Sequence, residues 1–578
     1  MRPPDCGACW PGSRPCCEPA APTVTDPLDL SPDLHRRIAA WTAADPDPAT
    51  RRRVHDLLTA AANGDRAAAE ELTDAFTGRL EFGTAGLRGA MGPGPNRMNR
   101  VVVGQAAAGL ATYLLDHGLG GGRVLVGFDA RHSSDVFATD TAEIMAAAGF
   151  DTMIMPGPLP TPLVAFGVRH LGCVAGVVVT ASHNPPQDNG YKVYLGDGSL
   201  IVPPADAEIA ERIVEVAKHD PADVPRARSY TVLGGELEQA YLDRVAALVP
   251  PEAPRDISWV YTPLHGIGAG VVARAIARTG FAAASVVAEQ AAPDPRFPTV
   301  AFPNPEEPGA IDLALAKARQ VSADLAIAND PDADRCAVAA PLDGSWRMLR
   351  GDELGALLGD DALRRGVRGT YACSVVSSSL LSAMAAAHGQ PFVSTLTGFK
   401  WIGRVPGLAY GYEEALGYCV NPAAVRDKDG ISALVTVLAL AARLKAAGQT
   451  IADRLDEIAR TYGVYETDQL SVRVDHVDLI AAALARLRAR PPRVLAGEPV
   501  EVADLAAGTD HLPPTDAVLI TGATTKTVVR PSGTEPKLKC YLEARVPASS
   551  ESDLEADRRH ARDVLAQLRQ EISEAMEL

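Results

Sequence analysis

From Val101 onward, short apolar runs alternate with Ala-rich stretches that read as helices. The runs Arg123 to Phe128, Thr152 to Met155 and Val174 to Val179 read as strands, and that rhythm is the signature of βαβ units on a largely parallel sheet. It recurs twice, first at Ser258 to Thr262 and Asp324 to Ala328, then at Thr370 to Val376 and Pro391 to Thr395. The last part changes character. Gln469 to Val474, Ala517 to Thr521, Thr527 to Arg530 and Lys537 to Arg545 read as strands with short connections, the pattern of an antiparallel sheet. Amphipathic helices at Val477 to Arg488 and Asp553 to Met576 accompany them, and ahead of everything Asp33 to Phe76 reads as helical.

This predicts an α/β protein: three consecutive mixed α/β domains plus a smaller C-terminal α+β domain around a central cleft. The expected boundaries are a disordered leader at 1–26, then 27–228, 229–345, 346–465 and 466–578.

Composition narrows the function. With 578 residues, 47% hydrophobic and 22% charged, the chain has the make-up of a globular enzyme. A net charge of −17 and 5% aromatics exclude a nucleic-acid surface, which needs a basic stripe and stacking rings. They leave room for a phosphorylated substrate, which needs only a local cationic pocket. No apolar run approaches the ~18–20 residues of a membrane span, and no basic-then-apolar signal opens the chain, so a cytoplasmic location is expected. Cys6, Cys9, Cys16 and Cys17 lie in a Pro- and Gly-rich segment that reads as leader in preference to a zinc knuckle. Cys173, Cys336, Cys373, Cys419 and Cys540 read as reduced core residues.

Four constellations carry chemistry. Thr180-Ala181-Ser182-His183-Asn184-Pro185 places a serine where a buried strand runs out into a loop, with a histidine beside it. Asp330-Pro331-Asp332-Ala333-Asp334-Arg335 sets three carboxylates at alternate positions, which an extended loop would point one way, as a hard divalent cation such as Mg2+ requires. An EF-hand is excluded, since Arg335 and Pro341 stand where its Gly and Glu would be. Gly411-Tyr412-Glu413-Glu414-Ala415-Leu416-Gly417 offers paired acids for vicinal hydroxyls, with Thr397, Lys400 and Lys428 in neighbouring loops. Arg530-Pro531-Ser532-Gly533-Thr534-Glu535-Pro536-Lys537 reads as a phosphate cradle, with a guanidinium fork, two hydroxyls and a glycine that lets N–H groups approach a dianion. It is not a Walker loop.

In this combination the chain resembles the α-D-phosphohexomutase superfamily, the phosphoglucomutases and phosphomannomutases, from about Leu80 to Val546. The resemblance implies that Ser182 carries a phosphoryl group and that Asp330, Asp332 and Asp334 bind Mg2+ together with a phosphate oxygen on Ser182. It implies that Arg88, His183 and Lys192 surround the phosphoserine and assist proton transfer, with Lys192 the choice for general base. Arg335, Thr397, Lys400, Glu413, Glu414 and Lys428 would contact the sugar, and Arg530, Ser532, Gly533, Thr534 and Lys537 would hold the non-reacting phosphate.

The implied activity is a mutase interconverting a hexose 1-phosphate and 6-phosphate, glucose or mannose, with glucose 1,6-bisphosphate or an equivalent as activator. The partner would be a small phosphosugar, with no nucleic acid, membrane or obligate protein partner. Ala415 stands where the sugar loop often has a serine, and this version looks like the branch that includes phosphopentomutases and a bisphosphate synthase. A phosphopentomutase is therefore the alternative. A phosphatase has less need of a second phosphate cradle, and a non-catalytic binding module has no need of Ser182 and all three aspartates.

Overall fold

The computed structural model describes residues 30–84, 86–342, 344–473, 477–532, 537–549 and 553–577. The expected leader at 1–26 and its four cysteines lie outside the described residues. The stretch read as one helix from Asp33 to Phe76 is three: Pro32–Ala44, Pro48–Ala62 and Arg66–Phe76. Local capping explains the breaks. Asp47 and Asp65 accept from the first N–H groups of the second and third helices, and Pro48 opens the second with a preset φ. The three share a small core of their own around Leu34, Ile38, Val54, Leu57, Leu72 and Phe76.

Three mixed sheets follow. In the first, the strands lie in the order Leu87–Ala90, Asp188–Leu195, Ala175–Val179, Arg123–Phe128, Asp151–Ile154, Thr231–Val232. The second runs Ser345–Met348, Ala337–Leu342, Leu325–Ala328, Trp259–Thr262, Ser285–Val286, and the third Phe392–Thr395, Thr370–Ser374, Leu408–Glu413, Gly417–Cys419. One construction recurs in all three. A buried strand with a parallel neighbour runs into a loop and returns as an antiparallel strand: Ala175–Val179 into Asp188–Leu195, Leu325–Ala328 into Ala337–Leu342, Leu408–Glu413 into Gly417–Cys419. The loops at these three hairpin tips are the serine, aspartate and glutamate motifs. The returning strands make each sheet mixed, as the fold class requires.

The fourth sheet is antiparallel throughout: Val464–Arg473, Lys537–Val546, Thr525–Pro531, Val518–Gly522, Glu498–Asp504, Val494–Leu495. Helices Val477–Ala489 and Leu554–Met576 accompany it, and Leu484, Leu568 and Ile572 pack in its core. Of the cradle motif, Arg530 and Pro531 close strand Thr525–Pro531 and Lys537 opens its antiparallel neighbour Lys537–Val546.

The first three units are fused. One apolar core runs from Leu125 and Val164 of the first unit through Trp259 and Leu325 of the second to Tyr410 and Leu434 of the third. The fourth joins the third through a smaller patch of Val375, Val376, Leu396, Leu512, Val528 and Tyr541. No single helix among the described residues is long and apolar enough to cross a membrane; Gly430–Ala446 and Ile451–Tyr462 pass only as a pair bent by 89°, and the first is buried in the core.

Two buried tyrosines tie the third unit to what precedes it. Tyr194 donates to Asp427 Oδ2 at 2.8 Å, and Tyr241 donates to Asp429 Oδ1 at 2.8 Å. Asp429 also caps helix Gly430–Ala446 by accepting from the N–H groups of Ile431 and Ser432. Tyr241→Phe leaves that buried carboxylate short of a donor and should lower unfolding free energy by about 1–3 kcal/mol in urea titrations. An unchanged denaturation midpoint would show that the strut carries no weight.

Candidate active site

The serine hairpin is held in an uncommon conformation. Ser182 has φ +52°, a left-handed value that costs a non-glycine residue free energy and marks an over-determined loop. Its N–H donates to Thr180 Oγ1 at 2.9 Å, and its Oγ lies 3.2 Å from His183 Nδ1. Burial, then Arg335 and Arg88, push the His183 imidazole well below its ordinary pKa, so the ring beside the hydroxyl is neutral. Arg88 arrives on the neighbouring strand and donates to Asn184 Oδ1 at 3.0 Å. Its approach depends on Gly86, at φ +76°, where a Cβ would sit 1.8 Å from the Tyr191 carbonyl oxygen.

The aspartate hairpin converges as the sequence predicts, though by another route. The loop is a turn, with Ala333 at φ +55° and its N–H donating to Asp330 O at 2.9 Å, so winding brings the carboxylates together where extended alternation was expected. Asp330, Asp332 and Asp334 are buried, with one oxygen of each within 4.8 Å of the others. Ser182 Oγ donates to Asp330 Oδ2 at 2.8 Å, joining the two hairpins. Lys192 Nζ reaches Asp332 Oδ2 at 2.8 Å and Asp334 Oδ2 at 2.9 Å, and Lys428 Nζ reaches Asp334 Oδ2 at 3.0 Å.

Charge follows from these contacts. Burial and the two neighbouring carboxylates push Asp330 well up, whereas Lys192, Lys428 and Arg335 overcome burial at Asp334 and hold it down. Burial works against the charge on Lys192, but Asp332 and Asp334 outweigh it and hold the ammonium above its ordinary pKa. Asp332 Oδ1 and Asp334 Oδ1 are buried with no hydrogen-bond partner. Two orphaned carboxylate oxygens beside a third carboxylate and a serine hydroxyl form a donor set that fits Mg2+.

The glutamate hairpin separates its two acids. Burial pushes the Glu413 carboxyl up while Lys428 and Arg335 pull it down, so it shares their side of the cleft. Arg335 Nη1 donates to Ala415 O at 2.5 Å, and its Nη1 lies 3.9 Å from Glu306. Glu414 instead accepts from Ser374 and Ser377 Oγ, each at 3.0 Å. Gly351 lets this hairpin dock on the helix it opens, because a Cβ there would meet Glu414 O at 1.6 Å. Lys400 Nζ bonds to Thr84 Oγ1 across the cleft, and Thr397 is half-buried in the loop before it.

In the fourth unit Arg530 is the last residue but one of strand Thr525–Pro531, and Ser532 N–H donates to Lys537 O at 2.8 Å. Gly533 and Thr534 lie outside the described residues. The fourth unit meets the third where Lys526 Nζ donates to Ser377 O at 2.5 Å and Glu543 accepts from Ser379 N–H at 2.7 Å.

Sequence reasoning missed Thr161, which grips Asp332 twice, Oγ1 to Oδ2 at 2.7 Å and N–H to the carbonyl at 3.0 Å. A threonine at a helix start carries no sequence signal for such a role. Asn329, just before the triplet, is a second such residue. It accepts from Tyr261 OH at 2.8 Å and donates to Arg335 O at 2.6 Å, closing the turn.

Comparison with known proteins places this geometry. Models of the phosphoglucomutase/phosphomannomutase alpha/beta/alpha domains I, II and III match residues 79–220, 239–343 and 350–462, and the model of the C-terminal domain matches 472–561. A probable phosphomannomutase of Haemophilus influenzae is 47% identical over 467 residues, 79% of this chain and 95% of that protein. A human phosphopentomutase is 35% identical over 568 residues, 89% of this chain and 92% of its own length. The crystal structure of a putative phosphomannomutase from Thermus thermophilus superposes with a TM-score of 0.66 at 26% identity, covering 86% of this chain and 99% of that one.

Glu414 generates a test of the electrostatics. Burial, then Glu413 and Asp352, raise its carboxyl from 4.5 to about 7. A raised folded pKa favours the protonated form on folding, so this contribution is complete below pH 4.5 and lost as pH rises through about 7. Glu414→Gln should flatten the fall in stability between about pH 5 and about pH 8 by about 1–3 kcal/mol relative to the parent, measured by urea unfolding. Parallel pH profiles for the two proteins would refute the assignment.

Proposed function

The chain belongs to the phosphoglucomutase/phosphomannomutase family, and from that premise we propose that it interconverts a hexose 1-phosphate and 6-phosphate through a phosphoserine at Ser182. The observation that carries this reading is the 2.8 Å hydrogen bond from Ser182 Oγ to Asp330, which sets a buried hydroxyl against a cation-type carboxylate cluster. Asp330, Asp332, Asp334 and the Ser182 oxygen would hold Mg2+. Bound there, the ion would neutralise charge on the phosphoryl group in transfer.

The chain's own residues supply the rest. Phosphoserine 182 gives its phosphoryl group to the free hydroxyl of the sugar, whose proton passes to a base while the released Ser182 Oγ takes up a proton. The bisphosphate turns around in the cleft, its other phosphoryl group returns to Ser182 Oγ, which gives up its proton, and the freed sugar oxygen takes one in exchange. Lys192 is positioned for that proton. It is held charged by Asp332 and Asp334 against the effect of burial, and with those carboxylates holding Mg2+ burial would favour its neutral form. Glu413 accepts from sugar hydroxyls, and Arg335, Thr397, Lys400 and Lys428 complete that wall. Arg530, Ser532, Gly533, Thr534 and Lys537 hold the other phosphate. Arg88 and His183 flank the phosphoserine.

Turning a bisphosphate requires the cradle to release and recapture it, and the small apolar patch joining the fourth unit to the third suits a hinged motion. A sugar bisphosphate such as glucose 1,6-bisphosphate would prime Ser182. The substrate is a small phosphosugar, and no nucleic-acid, membrane or protein partner enters the reading. We place the reaction in the cytoplasm, where reduced cysteines belong; all five described cysteines are free and buried.

A second reading has its own support. Ala415 offers no hydroxyl to a hexose, and the human relative named phosphopentomutase covers nearly the whole chain. The direct experiment measures kcat/KM for glucose, mannose, ribose and deoxyribose 1-phosphates with a bisphosphate activator present. A preference for hexoses is expected; a preference for pentoses would replace the hexose reading and leave the phosphoserine in place. Ser182→Ala should abolish turnover on every sugar, and activity near the parent's would sink the mechanism.

Metal binding is tested separately by calorimetric titration with Mg2+. One site per chain is expected, and Asp334→Asn should weaken it by more than about 100-fold, since even outer-shell partners of a metal site contribute about 10- to 100-fold. Unchanged binding in that variant would remove the triplet from the metal site.

A further inference from the structure

Arg131 enters none of the roles above, yet its side chain is among the most heavily engaged in the protein. It lies on the loop leaving strand Arg123–Phe128, which pairs with the strand that leads to Ser182. Its guanidinium is buried beneath the serine hairpin and donates to four backbone carbonyls of that one loop. Nη2 reaches Ser182 O at 2.7 Å and Asn184 O at 2.5 Å; Nη1 reaches Pro185 O at 2.8 Å and Asp188 O at 3.1 Å.

The fork is itself fixed from two sides. Asp129 Oδ1 accepts the Arg131 N–H at 2.9 Å and the Ser134 hydroxyl at 2.7 Å, and its Oδ2 lies 3.5 Å from Arg131 Nε. Thr180, which follows the strand leading into the loop, accepts the Ser182 N–H at 2.9 Å and braces the nucleophile from that side. From the second unit, the ring of Phe297 covers the guanidinium at 4.9 Å, the geometry of a cation–π contact.

Ser182 sits at φ +52°, a strained value that a serine keeps only where surrounding contacts over-determine it. Lysine could supply the charge at position 131, but not a planar array of donors to four carbonyls. We infer that Arg131 is a positioning residue for phosphoryl transfer: its fork sets the aim of Ser182 Oγ, and Phe297 locks the fork from the neighbouring unit. This rests on the reading of Ser182 as the phosphoryl carrier.

The test uses the full chain and glucose 1,6-bisphosphate labelled in its phosphates. Arg131→Lys should slow Ser182 labelling and kcat together by about 100-fold, the size of effect that a misplacement near 1 Å produces. KM should move by no more than about threefold, because sugar contacts made equally in ground and transition states are untouched. Phe297→Leu keeps the fork and removes the ring, and should slow both rates by about three- to tenfold. Urea titration of each variant separates lost protein from lost rate. Labelling and kcat at the parent rate in folded Arg131→Lys would overturn the inference. If that variant does not fold, parent rates in folded Phe297→Leu overturn it instead. Turnover by Ser182→Ala would defeat the carrier reading itself; an inactive Ser182→Ala alongside unimpaired Arg131 and Phe297 variants would defeat this inference alone.

Discussion

Three carboxylates buried within 4.8 Å of one another repel, by on the order of a few kcal/mol per pair at protein dielectric values, and no single unit of this fold neutralises them alone. Asp330, Asp332 and Asp334 belong to the second sheet. Of the cations that face them, Arg335 shares their loop, but Lys192 and Lys428 belong to the first and third units, and the hydroxyls of Ser182 and Thr161 come from the first. The cluster therefore exists only where three units meet. The continuous core beneath it is the apolar counterpart of the same requirement: the sheets are fused so that the charges need not be ordered separately. The two orphaned oxygens are what this arrangement leaves for a divalent ion.

Much of this was legible in the sequence because it lies at hairpin tips. Their polar and charged residues interrupt apolar strands, so a serine, an aspartate triplet or a pair of glutamates there stands out. The strands that return from the serine, aspartate and glutamate tips were not read, whereas Lys537 to Arg545 was. Asp188–Leu195 opens with Asp-Asn-Gly, a turn signal, and Gly417–Cys419 is three residues long, too short for any period to show. Nor was the split of the first helical stretch read, although Asp45-Pro46-Asp47-Pro48 and Asn63-Gly64-Asp65 carry the breaking chemistry.

Side-chain direction was harder still. The sequence pairs Glu413 and Glu414 as sugar ligands, but adjacent residues at the end of a strand face opposite sides, and only Glu413 shares its side with Arg335 and Lys428. Arg131 and Thr161 were invisible for a different reason. Their partners are largely backbone carbonyls or a residue distant in sequence, and neither kind of acceptor leaves a composition signal.

The division between a fused body and a docked fourth unit matches what the chemistry demands of each. Phosphoryl transfer tolerates little misplacement, so the serine, the carboxylates and their cations are built into one core and braced from several strands. Holding the other phosphate demands the opposite property. An intermediate that must turn end for end cannot be gripped rigidly at both ends throughout. On the proposed reading the cradle accordingly belongs to a unit with its own core, joined to the third by a small apolar patch, by polar contacts at Ser377 and Ser379 and by the ion pairs Arg350–Glu466 and Arg558–Asp456. The contacts at Ser377 and Ser379 lie on the same loop that donates Ser377 Oγ to Glu414, so the sugar hairpin and the docking surface of the fourth unit share a single hydrogen-bonded segment. On the proposed reading, a shift of the fourth unit would act on the glutamate hairpin through this segment, while the serine and aspartate hairpins are joined to each other by the Ser182–Asp330 bond.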